Sequence, residues 1–184
     1  MVKLIVKGKR AKQGTDRRGK AKARLETKIF GLARREWLFL IKFFALFLIP
    51  YALIHIIDLG WLTSAIASTE SWLFNAAGIP SSVVGSEIIA AGTSYTIIAD
   101  CTGLVMVAML FALLWATPLK DKRRWLFLAI GVPFLLLFNL ARLFVTLWAG
   151  VALGPVALEA VHLCFWFVDA AAAVAVWAKA AELW

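Results

Sequence analysis

Four stretches of this chain are apolar for close to the length that crosses a membrane, and the connections between them differ sharply in charge. A helix rises 1.5 Å per residue, so about 20 consecutive apolar residues cover the hydrocarbon of a bilayer. The stretches are residues 37–57, 101–117, 125–149 and 162–178. With 62% hydrophobic residues, nine Trp and a mean hydropathy of +0.84, the 184 residues hold more apolar surface than a soluble domain of that size hides. The expected fold is an all-α integral membrane protein of about four transmembrane helices, with room for one bundle and no second domain of ordinary size.

The net charge of +9 does not describe that bundle, because most of the twenty Lys and Arg residues lie before Trp37. Residues 1–36 read as a basic, largely disordered cytoplasmic tail. Its basic runs are not interleaved with aromatic residues, so no nucleic-acid partner is expected. Anionic lipid headgroups suit it better, and a topology signal suffices to explain it. The loop with Lys120, Lys122, Arg123 and Arg124 is also basic, whereas residues 58–100 contain no Lys or Arg and carry Asp58, Glu70, Glu87 and Asp100. The positive-inside rule therefore puts the tail and the 118–124 loop in the cytoplasm and segment 58–100 outside. The expected transmembrane bundle is residues 37–184, including the extracytoplasmic segment 58–100.

Within segment 58–100, residues 61–79 have helical length but include Thr63, Ser64, Ser68, Thr69, Glu70, Ser71 and Asn75, which are costly in lipid. They predict an extracytoplasmic interfacial helix anchored by Trp61 and Trp72. The β-branched residues on either side of Ala91-Gly92 predict a short β-hairpin, also outside, since hydrocarbon cannot satisfy an open strand edge.

This topology brings three reactive side chains to the outer face. Cys101 opens the second span, Arg142 lies about 25 Å up the third, and His162 opens the fourth. An ionisable group inside an apolar span is a functional hypothesis by default. Arg142 cannot lose its proton, and Asn139 shares its helix face. Its guanidinium has three open uses: to stabilise a thiolate, to hold a substrate carboxylate, or to donate to the oxyanion of a tetrahedral intermediate. Cys101 lies in Asp100-Cys101-Thr102-Gly103 at a helix start, where the helix dipole favours thiolate and Gly103 permits close approach. Imidazole is the usual base for a thiol, and Glu159 lies one turn before His162. Cys164 reads as a packing residue and His55 as an ordinary interfacial residue. Asp169 is left unassigned, a candidate ion-pair partner. The two cysteines form no Cys-x-x-Cys, which disfavours a disulfide oxidoreductase, and no His and Cys spacing suits a metal; no cofactor is expected.

Ala99-Asp100-Cys101-Thr102-Gly103-Leu104, then Pro133 with Phe138-Asn139-Leu140-Ala141-Arg142-Leu143, then His162, resembles the exosortase and archaeosortase family of membrane cysteine transpeptidases. The stretch Leu73-Phe74-Asn75-Ala76-Ala77-Gly78-Ile79 adds to the resemblance. It implies a protein-sorting enzyme of the plasma membrane, active on the extracytoplasmic face. Its substrates would be secreted proteins that end in a short motif, a transmembrane helix and a basic end. The enzyme would cut that carboxy-terminal sorting signal through a thioester and pass the new end to a lipid or other amine acceptor. The resemblance makes Cys101 the nucleophile, with Arg142 and His162 as its catalytic partners and Asn139, Thr102 and Gly103 in support. Alternatives are a membrane cysteine protease that only hydrolyses, and a non-enzymatic membrane assembly factor in which Arg142 and Asp169 pair across helices.

Overall fold

The computed structural model describes residues 34–182. The expected disordered tail falls almost wholly outside them. Contacts divide the chain into Met1–Ile41 and Lys42–Trp184, and the fold and site described below belong to the second unit.

The chain is a mostly helical membrane protein with one small sheet. Three helices are long and apolar enough to cross a bilayer: α1 (Arg34–Ile56), α4 (Asp121–Leu153) and α5 (Pro155–Ala180). The stretch expected as the second span begins at Leu104 rather than at Cys101, because Ala99–Thr102 coil into a 3-10 turn first. The helix that follows, α3 (Leu104–Ala116), has 13 residues, about 20 Å at 1.5 Å per residue. Its stop is local: Thr117 is extended ahead of Pro118, the conformation a following proline imposes.

Both remaining spans are longer than expected. Helix α4 starts at Asp121 and continues through Pro133 to Leu153. Gly154 alone makes the turn, and Pro155 then occupies the first turn of α5, where its missing N–H costs nothing. Residues 150–161, which lie between the expected spans 125–149 and 162–178, are thus mostly helix. His162 lies two turns inside α5 instead of at its opening.

Segment 58–100 supplies α2 (Gly60–Ala76) and three strands, β1 (Ser81–Val84), β2 (Glu87–Ala90) and β3 (Thr93–Thr96). Helix α2 buries Thr63, Ile66, Ala67, Glu70, Ser71 and Phe74, a stripe at three- and four-residue spacing. It ends in a Schellman motif: Gly78, at φ +81°, donates to Asn75 O while Ile79 N–H reaches back to Phe74 O. Asn75 then locks helix to sheet, accepting from Ser81 N–H (3.0 Å) and donating to Ser81 O (3.1 Å). The strands form an antiparallel meander in the order β1-β2-β3. The expected hairpin is the β2–β3 half, joined through Ala91 and Gly92, both at positive φ as a type I′ turn requires. The other half was hidden in the short Ser81–Val84 run.

Two cores result. Ile66 and Phe74 of α2, Ile88 and Ala90 of β2, and Ile97 pack with Cys101 and with Leu143 and Leu147 of α4. Met106, Leu110 and Leu114 of α3 pack with Leu135 of α4 and with Ala173 and Ala180 of α5. The nucleophile candidate therefore sits where segment 58–100 meets α4.

Glu70 lies on the same stripe of α2 as Ile66 and Phe74, fully buried, with neither carboxylate oxygen hydrogen-bonded. Burial pushes its carboxyl up to about 8. The folded state then holds a proton that the unfolded chain releases near pH 4.5, so this residue's contribution to stability falls as pH rises from about 4.5 to about 8. Thermal unfolding in detergent micelles between pH 4 and 9 should show that decline in the wild type and a flatter profile in Glu70→Gln. Equal slopes for the two proteins would contradict a neutral, buried Glu70.

Candidate active site

The Cys101 turn is fixed from both ends. Cys101 N–H donates to Ile98 O (2.9 Å), and Thr102 Oγ1 donates to Ala99 O (2.6 Å). Gly103 then takes φ +78°, a left-handed conformation that disfavours any residue with a Cβ. A Cβ there would also stand 3.1 Å from the Asn139 side chain. This closeness lets Asn139 Nδ2 donate to Cys101 O at 2.8 Å, a buried bond between the turn and α4. Asn139, Thr102 and Gly103 thus act on the Cys101 turn through the backbone.

Arg142 lies one helical turn beyond Asn139, buried to 3% exposure. Its Nη1 donates to Asp169 Oδ2 of α5, in an ion pair whose carboxylate side chain is only 8% exposed. Removing one partner of such a pair strands a buried charge, at a cost of about 3–5 kcal/mol. Asp169, left unassigned on the sequence, is therefore the direct partner of the most expensive residue in the bundle. Arg142 Nε and Nη2 and Asp169 Oδ1 have no hydrogen-bond partner. A cavity of about 330 Å³ opens beside the pair, walled by Arg142 and Asp169 and by Phe47, Tyr51, Met106 and Trp166. Asp100 also lines it, whereas Cys101 does not.

The electrostatics of the thiol differ from the sequence expectation. Burial pushes the Cys101 thiol up, the Ile98 backbone and the Arg142 guanidinium pull it back, and Asp100 adds to the rise. The expected thiolate-favouring helix start is displaced by the 3-10 turn, and desolvation outweighs what remains. His162 is half-buried, with its ring 6.4 Å from that of Trp166. The charges of Arg142, Asp169 and Asp100 all bear on it. Among the described residues no hydrogen bond joins His162 to Cys101, Arg142 or Glu159. The structure brings Cys101, Asn139, Arg142 and Asp169 into one layer and leaves His162 about 10 Å along α5 from Asp169, at 1.5 Å per residue over two turns.

Two other expectations change. Cys164, read as a packing residue, is exposed. His55, read as an ordinary interfacial residue, places Nε2 3.1 Å from Asp100 Oδ1, the residue before Cys101, while Nδ1 donates to Tyr51 O at 2.9 Å. Nothing in the spacing of positions 55 and 100 signals that contact. Among the described residues no cluster of His, Cys, Asp and Glu has the make-up of a metal site.

A family model for transmembrane exosortases matches residues 27–178, spanning the Cys101 turn, Asn139, Arg142 and His162. The chain belongs to the transmembrane exosortase family. Searches among curated proteins and among solved structures give no match. Membership agrees with the resemblance carried by the Cys101, Arg142 and His162 motifs. It is the turn geometry, more than membership, that defines what this exosortase's thiol experiences.

The raised thiol has a measurable consequence. In a Cys164→Ala background, which leaves one thiol, alkylation of Cys101 by iodoacetamide should titrate with a midpoint above the ordinary thiol value of about 8.5. Arg142→Gln should move that midpoint further up, because a cation that favours thiolate is gone. A midpoint at or below the ordinary value would contradict the burial argument.

Proposed function

We propose that this protein is a membrane cysteine transpeptidase that cuts carboxy-terminal sorting signals of secreted proteins. The observation that carries the reading is the Asn139 bond to Cys101 O, which seats the thiol's turn on the α4 face that bears Arg142 one helical turn away. Family membership supports the same reaction class.

The proposed chemistry begins when Cys101 Sγ loses its proton to His162 and bonds to the scissile carbonyl carbon. The carbonyl oxygen takes up the negative charge, and Arg142 donates to it. The tetrahedral intermediate collapses as the carbon–nitrogen bond breaks and His162 returns the proton to the leaving amine. A thioester on Cys101 remains. An acceptor amine, on a lipid or another molecule, then attacks the thioester carbonyl, the carbon–sulfur bond breaks, and the acceptor's proton leaves through His162 to restore the thiol. Substrates of this enzyme present a short motif before a transmembrane helix and a basic end, so that the cleavage site meets the bundle at the outer interface.

The proposed topology has four spans, α3 being the short one, with the basic residues of 118–124 at the cytoplasmic face. Helix α2 lies at the outer interface, with Trp61 and Trp72 exposed as anchors. The active site then faces outward from the plasma membrane. An α4 of 33 residues, about 50 Å long, exceeds the hydrocarbon thickness of about 30 Å, so its outer turns stand beside α2 and the sheet.

One observation favours a second reading, since the buried Arg142–Asp169 pair is also what a non-enzymatic assembly factor would use to join helices. The nucleophile separates the two. In cells carrying a substrate with the tripartite end, Cys101→Ala and Cys101→Ser should abolish processing while the variant proteins accumulate folded in the membrane, and Cys164→Ala should process as the wild type does. Wild-type processing by Cys101→Ala would end the transpeptidase reading.

A further inference from the structure

Arg142 offers five N–H donors on a rigid plane, and only Nη1 is used. The two nitrogens left without partners, Nε and Nη2, share one edge of the guanidinium. That edge is the fork that matches a carboxylate or an oxyanion with two parallel bonds. Both nitrogens are buried. Leaving a buried donor unsatisfied costs about 1–3 kcal/mol, so the free fork is a standing demand for an oxygen ligand. Arg142 and Asp169 both wall a cavity of about 330 Å³.

Which edge stays free is decided by Asp169. Its Oδ2 holds Nη1 from the α5 side, and both side chains are buried, so neither is free to turn. An arginine that satisfied only its own charge would put its two-pronged edge on the carboxylate, the geometry that such pairs favour. Here the carboxylate takes the single end nitrogen and the fork is kept in reserve. Asp169 Oδ1 also remains without a partner, which a pair optimised for stability alone would not leave.

We propose that Asp169 is a positioning residue for Arg142, holding the guanidinium by Nη1 so that its Nε and Nη2 edge forms a ready-made fork for an anionic oxygen of the substrate or its tetrahedral intermediate. The assignment of that oxygen to a peptide-derived group rests on the function proposed above; the holding of Arg142 by Asp169 does not. Asp169 carries no step of the chemistry. It also ties α5 to α4 at the layer of the Cys101 turn, and His162 lies two turns outward on the same α5.

The test uses the full chain in membranes, in the Cys164→Ala background, and has two arms. In the processing arm, Arg142→Lys retains a cation for Asp169 and loses the fork. The protein should accumulate folded, and processing of a tripartite substrate should fall about a hundredfold, the cost of misplacing a transition-state donor. Asp169→Asn should lose a similar factor, and adding Asp169→Asn to Arg142→Gln should cost nothing more than Arg142→Gln alone, since Asp169 acts only through the arginine.

The second arm needs no substrate. Arg142 and Asp100 are the charged groups that bear on the Cys101 thiol. Asp169→Asn leaves the Arg142 charge unshared, so iodoacetamide should alkylate Cys101 with a midpoint at lower pH and severalfold faster at pH 7. A pair that served only to join helices would let Arg142→Lys process at the wild-type rate, and that result overturns the proposal. An Asp169→Asn protein that is folded and alkylated like the wild type at every pH also overturns it. If Asp169→Asn fails to accumulate, Arg142→Lys decides alone. If Cys101→Ala processes normally, the transpeptidase reading fails, while the alkylation arm still reports whether Asp169 governs Arg142.

Discussion

A guanidinium that cannot be neutralised by losing a proton stands in the middle of an apolar bundle, and much of the structure answers that demand. Arg142 is buried on α4, and a carboxylate from α5 meets it at Nη1. Such a pair costs several kcal/mol of desolvation per ion, returned only when geometry and further hydrogen bonds are good. Here the further hydrogen bonds are missing, since two guanidinium nitrogens and one carboxylate oxygen remain unpartnered. A bundle selected for stability alone would do better with apolar residues at both positions. The charge is retained at a cavity wall, beside the turn that carries Cys101, which is where a reaction that builds negative charge on oxygen would use it.

Segment 58–100 does for the thiol what α5 does for the arginine. Helix α2 and the three strands pack Ile66, Phe74, Ile88 and Ile97 around Cys101 and against Leu143 and Leu147. Gly103 brings the end of the 3-10 turn so close to Asn139 that a methyl group would not fit without displacement, and Asn139 grips the Cys101 carbonyl from α4. The thiol is thereby positioned but also desolvated, and its acidity falls. If this thiol is to act as a nucleophile it needs a base to take its proton, the part proposed above for His162.

Much of this was legible in the sequence, for identifiable reasons. Apolar length and the placement of Lys and Arg gave the membrane class and the spanning character of α1, α4 and α5. The helical length of residues 61–79 is realised as α2, Gly60–Ala76, and the Ala91-Gly92 break marked the β2–β3 hairpin. Helix ends were misjudged where hydropathy and backbone chemistry disagree: Gly154-Pro155 looks like the middle of a loop, yet a single glycine turns the chain and proline opens the next helix. Cys101 sits in apolar sequence, but its local Thr102 and Gly103 geometry makes a 3-10 turn rather than the first turn of a span. The contact of His55 with Asp100 joins residues 45 positions apart and has no periodicity to betray it, whereas the Arg142–Asp169 pair was among the expectations, because both are ionisable groups in apolar spans. The buried, unpartnered Glu70 was counted among the polar residues of α2 and gave no sign that it faces the core.

The measurement closest to the central claim is mass spectrometry of the protein after brief exposure in membranes to a substrate bearing a short motif, an apolar helix and a basic end. The account predicts an adduct of the cleaved substrate on Cys101, labile to hydroxylamine as thioesters are, and missing from Cys101→Ser. A cleaved product that accumulates with no adduct on Cys101 at any time, or an adduct on another residue, would contradict it.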